Sequence, residues 1–418
     1  MSREQKQIIH ITPHLGGGVG KALLSLVEGS KRTHFNHSFL LLEKPIKTFF
    51  FNKIHSHGCK IYVYPDKSEF ITLISEADIV QLEWWNHPAT FKFLCTHELP
   101  PMRLLTWCHQ SGLHPPIIPA GLIRRSSRFI FTSRCSLLAP YIAGQPDITM
   151  GNTGVVSSGT GLEYQNTRKF REKGPLKACY MGTLSFSKLH PEYVKFLAAV
   201  RLPEFRVTMF GDEANRDMLL RQCAAAGKPN LLEFAGYIPD ISTALASMDI
   251  FPYLLNPVHY GTAENALLEA MSAGVVPIVL DNPCEIAIVD DGKTGLVVHD
   301  PGEFADVVEW LGDNPGEQEK LGRNAARYVR ENFQPEKMAE EMTIHYQTVF
   351  TLKKQRIPFT ELLGSNPAEW YWITRRKPSE ILPEVEQKFG GFSDDDQTKG
   401  TLRHFSKYFP DDQGLNSL

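Results

Sequence analysis

Pro257-Val-His-Tyr-Gly-Thr-Ala-Glu-Asn-Ala-Leu-Leu-Glu-Ala-Met-Ser-Ala-Gly-Val-Val-Pro-Ile-Val279 is the stretch that decides the fold class. Ala266, Leu267, Ala270 and Met271 fall on one face at helical spacing, which predicts a helix over 263–273. Thr262 is its expected N-cap, and Gly274 is expected to end it. Val275–Leu280 then reads as a strand buried on both faces, the kind found in parallel sheets.

The same alternation continues in both directions. Upstream in the second half, strands are expected at Lys177–Met181, Phe205–Phe210, Leu231–Phe234 and Asp249–Tyr253, with Gly295–Val298 downstream. Helices are expected at Gly302–Gly312, Pro315–Asn332 and Pro335–Phe350. The first half repeats the pattern with strands at Gln7–Ile11, His37–Leu42, Lys60–Tyr64, Asp78–Leu82, Arg103–Cys108 and Arg128–Thr132. Strand and helix in alternation imply βαβ units and parallel sheets, so the fold class is α/β. A Gly/Ser/Thr cluster at Gly151–Gly161 and the polar stretch Gln165–Lys177 mark a boundary. The expected division is 1–170, 171–350 and a helical or irregular tail at 351–418 that packs back toward the first domain.

At 418 residues the chain exceeds what one core supports, in line with two α/β domains. Hydrophobic residues make up 42% and charged residues 22%, which excludes a disordered, collagenous or coiled-coil chain. The N-terminus lacks the apolar region of a secretory signal, and no apolar run is long enough to span a bilayer. Seven scattered cysteines without a Cys-x-x-Cys read as reduced thiols. The expected location is therefore the cytoplasm, with the inner face of the plasma membrane as a peripheral site. The net charge of −3 conceals an asymmetry. Residues 1–170 hold 18 Lys and Arg against 11 Asp and Glu, and the remainder holds 26 against 36. The balances of +7 and −10 suit two domains with different partners.

Two stretches point to an anionic ligand with hydroxyls at its ends. Leu15-Gly-Gly-Gly-Val-Gly-Lys21 joins a strand to a helix. Its spacing matches neither a P-loop nor a dinucleotide fingerprint, yet its glycines permit close backbone approach to an anion at a helix start. In the quoted stretch, Glu264 and Glu269 are five residues apart, about 140° around the helix and ~7.5 Å along it. They do not suit two contacts on one atom. They suit two parts of one elongated ligand whose phosphates meet the helix N-terminus, as in a nucleotide sugar.

These residues and their neighbours resemble the donor half of GT-B glycosyltransferases, nearest the retaining family 4 enzymes. That family carries Glu, seven residues, Glu, then Ala-Met/x-Ala-x-Gly. Glu269-Ala-Met-Ser-Ala-Gly274 matches the second Glu and the small-residue run after it. The resemblance implies that Glu269 holds the ribose hydroxyls. The first Glu of the pattern falls on Gly261, a departure. Glu264 stands where the family has a glycine contacting the donor sugar, and it is the candidate substitute. Tyr180-Met-Gly-Thr-Leu-Ser-Phe-Ser-Lys188 resembles the family's Gly-Arg followed five residues after the Arg by Lys. Lys188 would then neutralise the leaving diphosphate beside Gly182 and Thr183. Thr183 replaces the Arg, so Lys21, His190 and Arg103 are the alternative cations. Phe234–Asp240 resembles the turn that cups the base through Tyr237 and Ile238, and Glu285–Gly295 resembles a late turn. In the first domain, Gly17 and Gly18 resemble the glycine turn against the phosphates, and Leu104–His109 resembles the strand ending in a His near the donor sugar. The resemblance spans residues 7–350 and is strongest over 177–300.

It implies two Rossmann-like domains facing a cleft and transfer of a sugar from a nucleotide-sugar donor to a saccharide or lipid-linked acceptor, with retention, in cell-surface polysaccharide or glycolipid synthesis. Glu264, His109 and Lys188 would be catalytic. Gly17, Gly18, Gly182, Thr183, Tyr237, Ile238, Gly261, Thr262, Ala263, Asn265 and Glu269 would bind donor. Glu83, Trp84 and Trp85, after the strand at 78–82, are the expected acceptor contacts. No cofactor or metal is expected; Asp394-x-Asp396 lies in an acidic tail away from any strand end. Nucleic acid is not an expected partner, since the basic residues are not interleaved with aromatics. Trp370–Lys377 mixes aromatics and cations, suited to a membrane surface or to packing on the first domain. Two alternatives stay open: an epimerase or hydrolase of nucleotide sugars on the same fold, and a catalytically silent binding subunit, which the residues at 261 and 183 motivate.

Overall fold

The computed structural model describes residues 5–149, 151–159, 174–238, 241–375, 383–394 and 400–418. It contains two sheets, each parallel throughout. The first is built from β1 (Lys6–Thr12), β2 (Phe35–Leu41), β3 (Lys60–Val63), β4 (Ile79–Trp84), β5 (Leu104–Cys108), β6 (Arg128–Phe131) and β7 (Thr153–Val155). The second holds β8 (Ala178–Gly182), β9 (Val207–Gly211), β10 (Leu232–Gly236), β11 (Ile250–Tyr253), β12 (Val276–Leu280) and β13 (Leu296–Val298). Their orders are β3-β2-β1-β4-β5-β6-β7 and β10-β9-β8-β11-β12-β13. The strand order reverses between β1 and β4 in one sheet and between β8 and β11 in the other. A crevice opens at the carboxyl ends of such strands, and it is where ligands of doubly wound sheets bind.

The strand expected from Val275–Leu280 is β12, buried at all five positions because it lies between β11 and β13 with helices packed on it. β7 was not expected. Thr153-Gly-Val sits inside the Gly/Ser/Thr cluster read as a boundary, yet it pairs in register with Phe129–Phe131 and closes the sheet. Three residues carry too short a pattern to announce a strand. The boundary placed at 170/171 falls in 160–173, outside the described residues.

The second domain was expected to run to 350, but the helix Pro335–Phe350 belongs to the first. Met338, Ala339, Met342, Tyr346 and Val349 bury with Ile8, Leu23, Leu26 and Phe39 in one core. The apolar face of that helix is satisfied by the helix Gly17–Gly29, not by the sheet it follows in sequence. The later helices Phe359–Leu363, Pro367–Trp372 and Leu402–Tyr408 pack on the helix Pro88–Thr96. Trp370 and Tyr371 are buried there, Trp370 stacked over Phe91. The helix Glu384–Asp394 touches both domains: Glu386 bonds His114 at 2.7 Å, and Phe389 packs on His190. Asp396 is outside the described residues. Among the described residues no helix is long and apolar enough to cross a membrane.

Candidate active site

The glycine loop delivers the first domain to the cleft. Gly16 is the N-cap of the helix Gly17–Gly29, and Gly17 has φ +61° with open space where a side chain would begin. A Cβ on Gly20 would lie 2.3 Å from the Leu15 carbonyl, so the tight entry into the helix needs glycine there. Gly18 faces the second domain, 3.5 Å from Asn265 Nδ2 by the same construction. One turn on, the Lys21 ammonium crosses the cleft and pairs with the Glu269 carboxylate. Two more contacts join the domains: Thr132 Oγ1 donates to Thr262 Oγ1 at 3.1 Å, and the Ser111 N–H donates to the Tyr260 carbonyl at 3.2 Å.

Thr262 is therefore an interdomain contact and not the N-cap expected of it. The helix begins at Asn265, and its N-cap is Glu264, whose side chain makes no capping bond. Glu264 adopts φ +41°, ψ +57°, a left-handed conformation that favours glycine and costs a side-chain residue about 1–3 kcal/mol. That backbone turns the carboxylate back beneath the loop. A Cβ built on Gly261 would lie 2.0 Å from Glu264 Oε1, so the carboxylate fills the room a side chain at 261 would need.

The surroundings of Glu264 are polar and closed to bulk solvent. Its side chain is fully buried. Tyr253, at the end of β11, donates its hydroxyl to Oε2 at 2.5 Å, and Lys188 Nζ lies 3.0 Å from the same oxygen. Oε1 has no hydrogen-bond partner among the described residues and stands 3.9 Å from His259 Nδ1. Burial pushes the carboxyl pKa up, but the charges of Lys188 and His259 and the Tyr253 bond outweigh it and leave it lowered. Lys188 responds in kind. Burial pulls its pKa down, and Glu264 more than restores it, so the ammonium is held charged. His259 Nε2 lies 3.0 Å from Glu285, and Asn282 donates to the other Glu285 oxygen at 2.8 Å.

His109 follows β5, opposite this cluster. Its Nε2 pairs with Glu83 Oε2 at 2.7 Å. Glu83 Oε1 pairs with His10 Nδ1 at 2.8 Å and accepts from Gln81 Nε2 at 2.8 Å, while His10 Nε2 meets His37 Nδ1 at 2.8 Å. The chain His37–His10–Glu83–His109 thus crosses the buried middle of the sheet. Burial of Glu83 raises its carboxyl pKa, but the two histidine bonds prevail and hold it lowered. Burial, then His10, keeps His37 well below its ordinary range. With Nε2 engaged by Glu83, Nδ1 is the ring nitrogen of His109 left for another partner.

This arrangement corrects the expected acceptor contacts. Glu83 is wholly buried as the partner of His109, and Trp84 is wholly buried against Phe91. Successive side chains of a strand point to opposite faces, and β4 is central, so both faces are covered. Trp85, past the strand end, is half-buried beside His14, His87 and His109.

The remaining expected donor contacts fall in three places. Gly182 and Thr183 end β8, Thr183 exposed and its carbonyl held by the Tyr180 hydroxyl. Gly261, Ala263 and Asn265 surround Glu264. Tyr237 and Ile238 follow the edge strand β10, about 10 Å from β8 at two strand spacings, and Tyr237 is 84% exposed. Of the alternative cations, Lys21 reaches the cleft. Arg103 sits at the opposite end of β5, bonded to the carbonyls of Leu352 and Asp78. Burial drives the His190 pKa down to about 4, so that ring is neutral.

Among the described residues, two groups bring possible metal ligands within 4.8 Å of one another: His14, Glu43 and His87, and His259, Glu264 and Glu285. Linear spacing gave no sign of either. In all three histidines a backbone N–H occupies Nδ1, from Gly16, Ala89 and Gly261. At His259 burial pulls the pKa down, but Glu285 and Glu264 more than restore it and leave it raised.

Sequence reasoning missed Tyr253, His259 and Glu285 around Glu264, the Lys21–Glu269 pair, and Glu83 as the partner of His109. Tyr253 and Glu83 could have been signalled by their place at a strand end; Lys21, Glu269 and Glu285 lie within helices and carried no such signal.

Two Rossmann-like parallel sheets facing a cleft define the GT-B fold, and its solved members superimpose over most of the chain. A glycosyltransferase from Rickettsia africae aligns with TM-score 0.63 at 12% identity, covering 83% of this chain and 99% of that one. Anabaena HepE, in complex with UDP, aligns with TM-score 0.62 at 15% identity, covering 82% and 100%. Residues 164–328 match the family described as glycosyl transferases group 1. The D-rhamnosyltransferase WbpZ of Pseudomonas aeruginosa is 25% identical over 350 residues, which are 76% of this chain and 88% of that protein. The protein has the GT-B fold and resembles the group 1 glycosyl transferases.

Proposed function

We propose that the protein transfers a sugar from a nucleotide-sugar donor to a saccharide or lipid-linked acceptor, with retention and without a metal, in cell-surface polysaccharide or glycolipid synthesis. The observation that carries this reading is Glu264, held charged beside Lys188 in the space a side chain at 261 would fill. The chain gives up the family's first Glu and returns a carboxylate to the same place from three residues on. The relatives support the substrate class: HepE has been solved with UDP and with UDP-glucose, and WbpZ is a D-rhamnosyltransferase.

In this reading the donor diphosphate lies between the N–H groups at the uncapped start of the helix Asn265–Ser272 and those at Gly17–Gly18. Lys188 neutralises the departing charge. Glu269 exchanges Lys21 for the ribose hydroxyls, which frees Lys21 for the diphosphate and supplies the cation that Thr183 does not. Glu264 faces the positive charge that builds on the sugar. His109, its tautomer set by Glu83, accepts from a donor-sugar hydroxyl through Nδ1. The leaving phosphate takes the acceptor proton, so retention needs no protein nucleophile. Trp85 offers the acceptor an aromatic face, and the basic balance of residues 1–170 suits an anionic acceptor or the inner face of the plasma membrane.

A thermal-shift panel of UDP-, GDP-, TDP-, ADP- and CMP-sugars identifies the donor, since a ligand bound at 100 times its Kd stabilises by about 2.7 kcal/mol. Transfer is then followed with saccharide acceptors, and the anomeric configuration is read by NMR. The proposal predicts one stabilising nucleotide class and a retained linkage. An inverted linkage sinks the mechanism. Turnover without acceptor points to an epimerase or hydrolase, and binding with no transfer points to a silent subunit.

A further inference from the structure

Two cysteines that the proposed mechanism does not use meet across the domain boundary. Cys135 lies in the turn Arg134–Leu138 after β6 of the first sheet, and Cys284 lies in the short helix Pro283–Ile286 after β12 of the second. They are 149 residues apart in sequence, yet their sulfurs are 3.1 Å apart and both side chains are buried. Neither is in a disulfide. A sulfur–sulfur bond is about 2.05 Å long, so an approach of about 1 Å would join them.

The surroundings differ at the two sulfurs. Cys284 Sγ donates to the Gly261 carbonyl at 3.1 Å, on the loop that carries Glu264. Cys135 Sγ stands 3.9 Å from the Thr262 hydroxyl, and its backbone N–H is held by Ser133 Oγ. The polar neighbours of Cys135, led by the Cys284 thiol, hold its pKa below that of an ordinary thiol, while Cys284 is pushed well above. The Cys284 S–H is engaged by the Gly261 carbonyl of its own domain, whereas the Cys135 thiol faces partners across the cleft and is freed when the domains part, so Cys135 is the attacking sulfur and Cys284 the resolving one.

We infer that Cys135 and Cys284 are a modification site: a low-molecular-weight disulfide of the glutathione class oxidises them to an interdomain cystine that staples the cleft shut. With the domains apart, the Cys135 thiolate attacks one sulfur of the reagent. The reagent's S–S bond breaks, a mixed disulfide forms on Cys135, and one small thiolate leaves. On closure, Cys284 gives its proton to that thiolate or to water, and its sulfur attacks Cys135. The mixed disulfide breaks, the Cys135–Cys284 bond forms, and the second small thiolate leaves. Two protein thiols have lost two electrons and two protons, and one small disulfide has become two small thiols. The bond holds the turn after β6 against the 261–262 loop. A GT-B cleft that must open to exchange donor and product is then arrested.

The test uses the full chain in glutathione buffers of increasing oxidised fraction, quenched with acid and digested without reductant. The expected result is a peptide joining 135 to 284, and faster migration on a non-reducing gel, both reversed by dithiothreitol. Cys284→Ser should stop at glutathione on residue 135, and Cys135→Ser should leave Cys284 unmodified. Free thiols at full oxidation, or glutathione that stays on Cys135 of the unaltered chain, would overturn the assignment. Transfer should fall about tenfold or more as the cross-link forms and return with dithiothreitol. A cross-linked protein with undiminished transfer would overturn the arrest. The peptide readout does not depend on glycosyl transfer, so a failed cross-link and a failed functional reading are told apart.

Discussion

Lys188 and Glu264 should behave as one unit, and a double-mutant cycle measures it. Their separation is 3.0 Å, with the carboxylate fully buried and the lysine side chain 20% exposed. At an effective dielectric constant of about 20 the attraction is about 5–6 kcal/mol. The cost of burying the carboxylate offsets roughly half, leaving a coupling of about 2–3 kcal/mol. Lys188→Met strands a buried charge whose Oε1 already lacks a hydrogen-bond partner, and should cost about 3–4 kcal/mol. Glu264→Gln keeps the Tyr253 bond and lets Lys188 turn toward water, so it should cost about 2 kcal/mol. The double variant should cost about 3 kcal/mol, well short of the sum. Urea unfolding followed by circular dichroism at neutral pH reads the stabilities. Transfer assays separate the chemistry: both single variants should lose about 100-fold or more in kcat, and the double variant should be no more active than either although its stability cost falls short of their sum. Additivity to within about 0.5 kcal/mol would refute the pairing. A double variant more active than both single variants would refute a catalytic role for either residue.

Three further outcomes test the rest of the site. Glu83→Gln replaces an acceptor with an amide facing histidine donors and should cost about 1–3 kcal/mol while shifting the pH profile of kcat, which a purely structural residue would not move. Because the Glu83 pKa is lowered on folding, its contribution is present above about 4.5 and is lost as pH falls through the folded value; acid unfolding curves of Glu83→Gln should therefore be flatter below that pH. Glu269→Ala should weaken nucleotide binding about tenfold or more, or ~1.4 kcal/mol, and unchanged affinity by calorimetry would remove Glu269 from the ribose. Trp85→Ala should raise the acceptor KM with little change in donor KM, and the reverse split would move Trp85 to the donor side.

Much of the fold was legible because burial writes itself into pattern. Val276–Leu280 is apolar throughout since both faces of β12 are covered, and the helices Pro315–Asn332 and Pro335–Phe350 open on proline at the positions expected. The pattern says that a face is apolar and not what covers it, which is why the helix Pro335–Phe350 was assigned to the wrong domain. The same limit applies to Glu83-Trp84-Trp85. A polar and aromatic run after a strand reads as a ligand platform until the strand is found in the middle of a sheet.

Two parallel α/β domains, the order of their strands along the chain and the residue types at each strand end were readable from the chain alone, because these depend on local periodicity and spacing. Only the tertiary structure decided which of those residues act together. Lys21 with Glu269 and Cys135 with Cys284 are contacts made by closure of two sheets on one cleft, His109 meets Glu83 across adjacent strands of one sheet, and Glu264 fills the space beside Gly261 through a left-handed turn of one loop. Such pairs are set by distance in space, which separation along the chain does not encode.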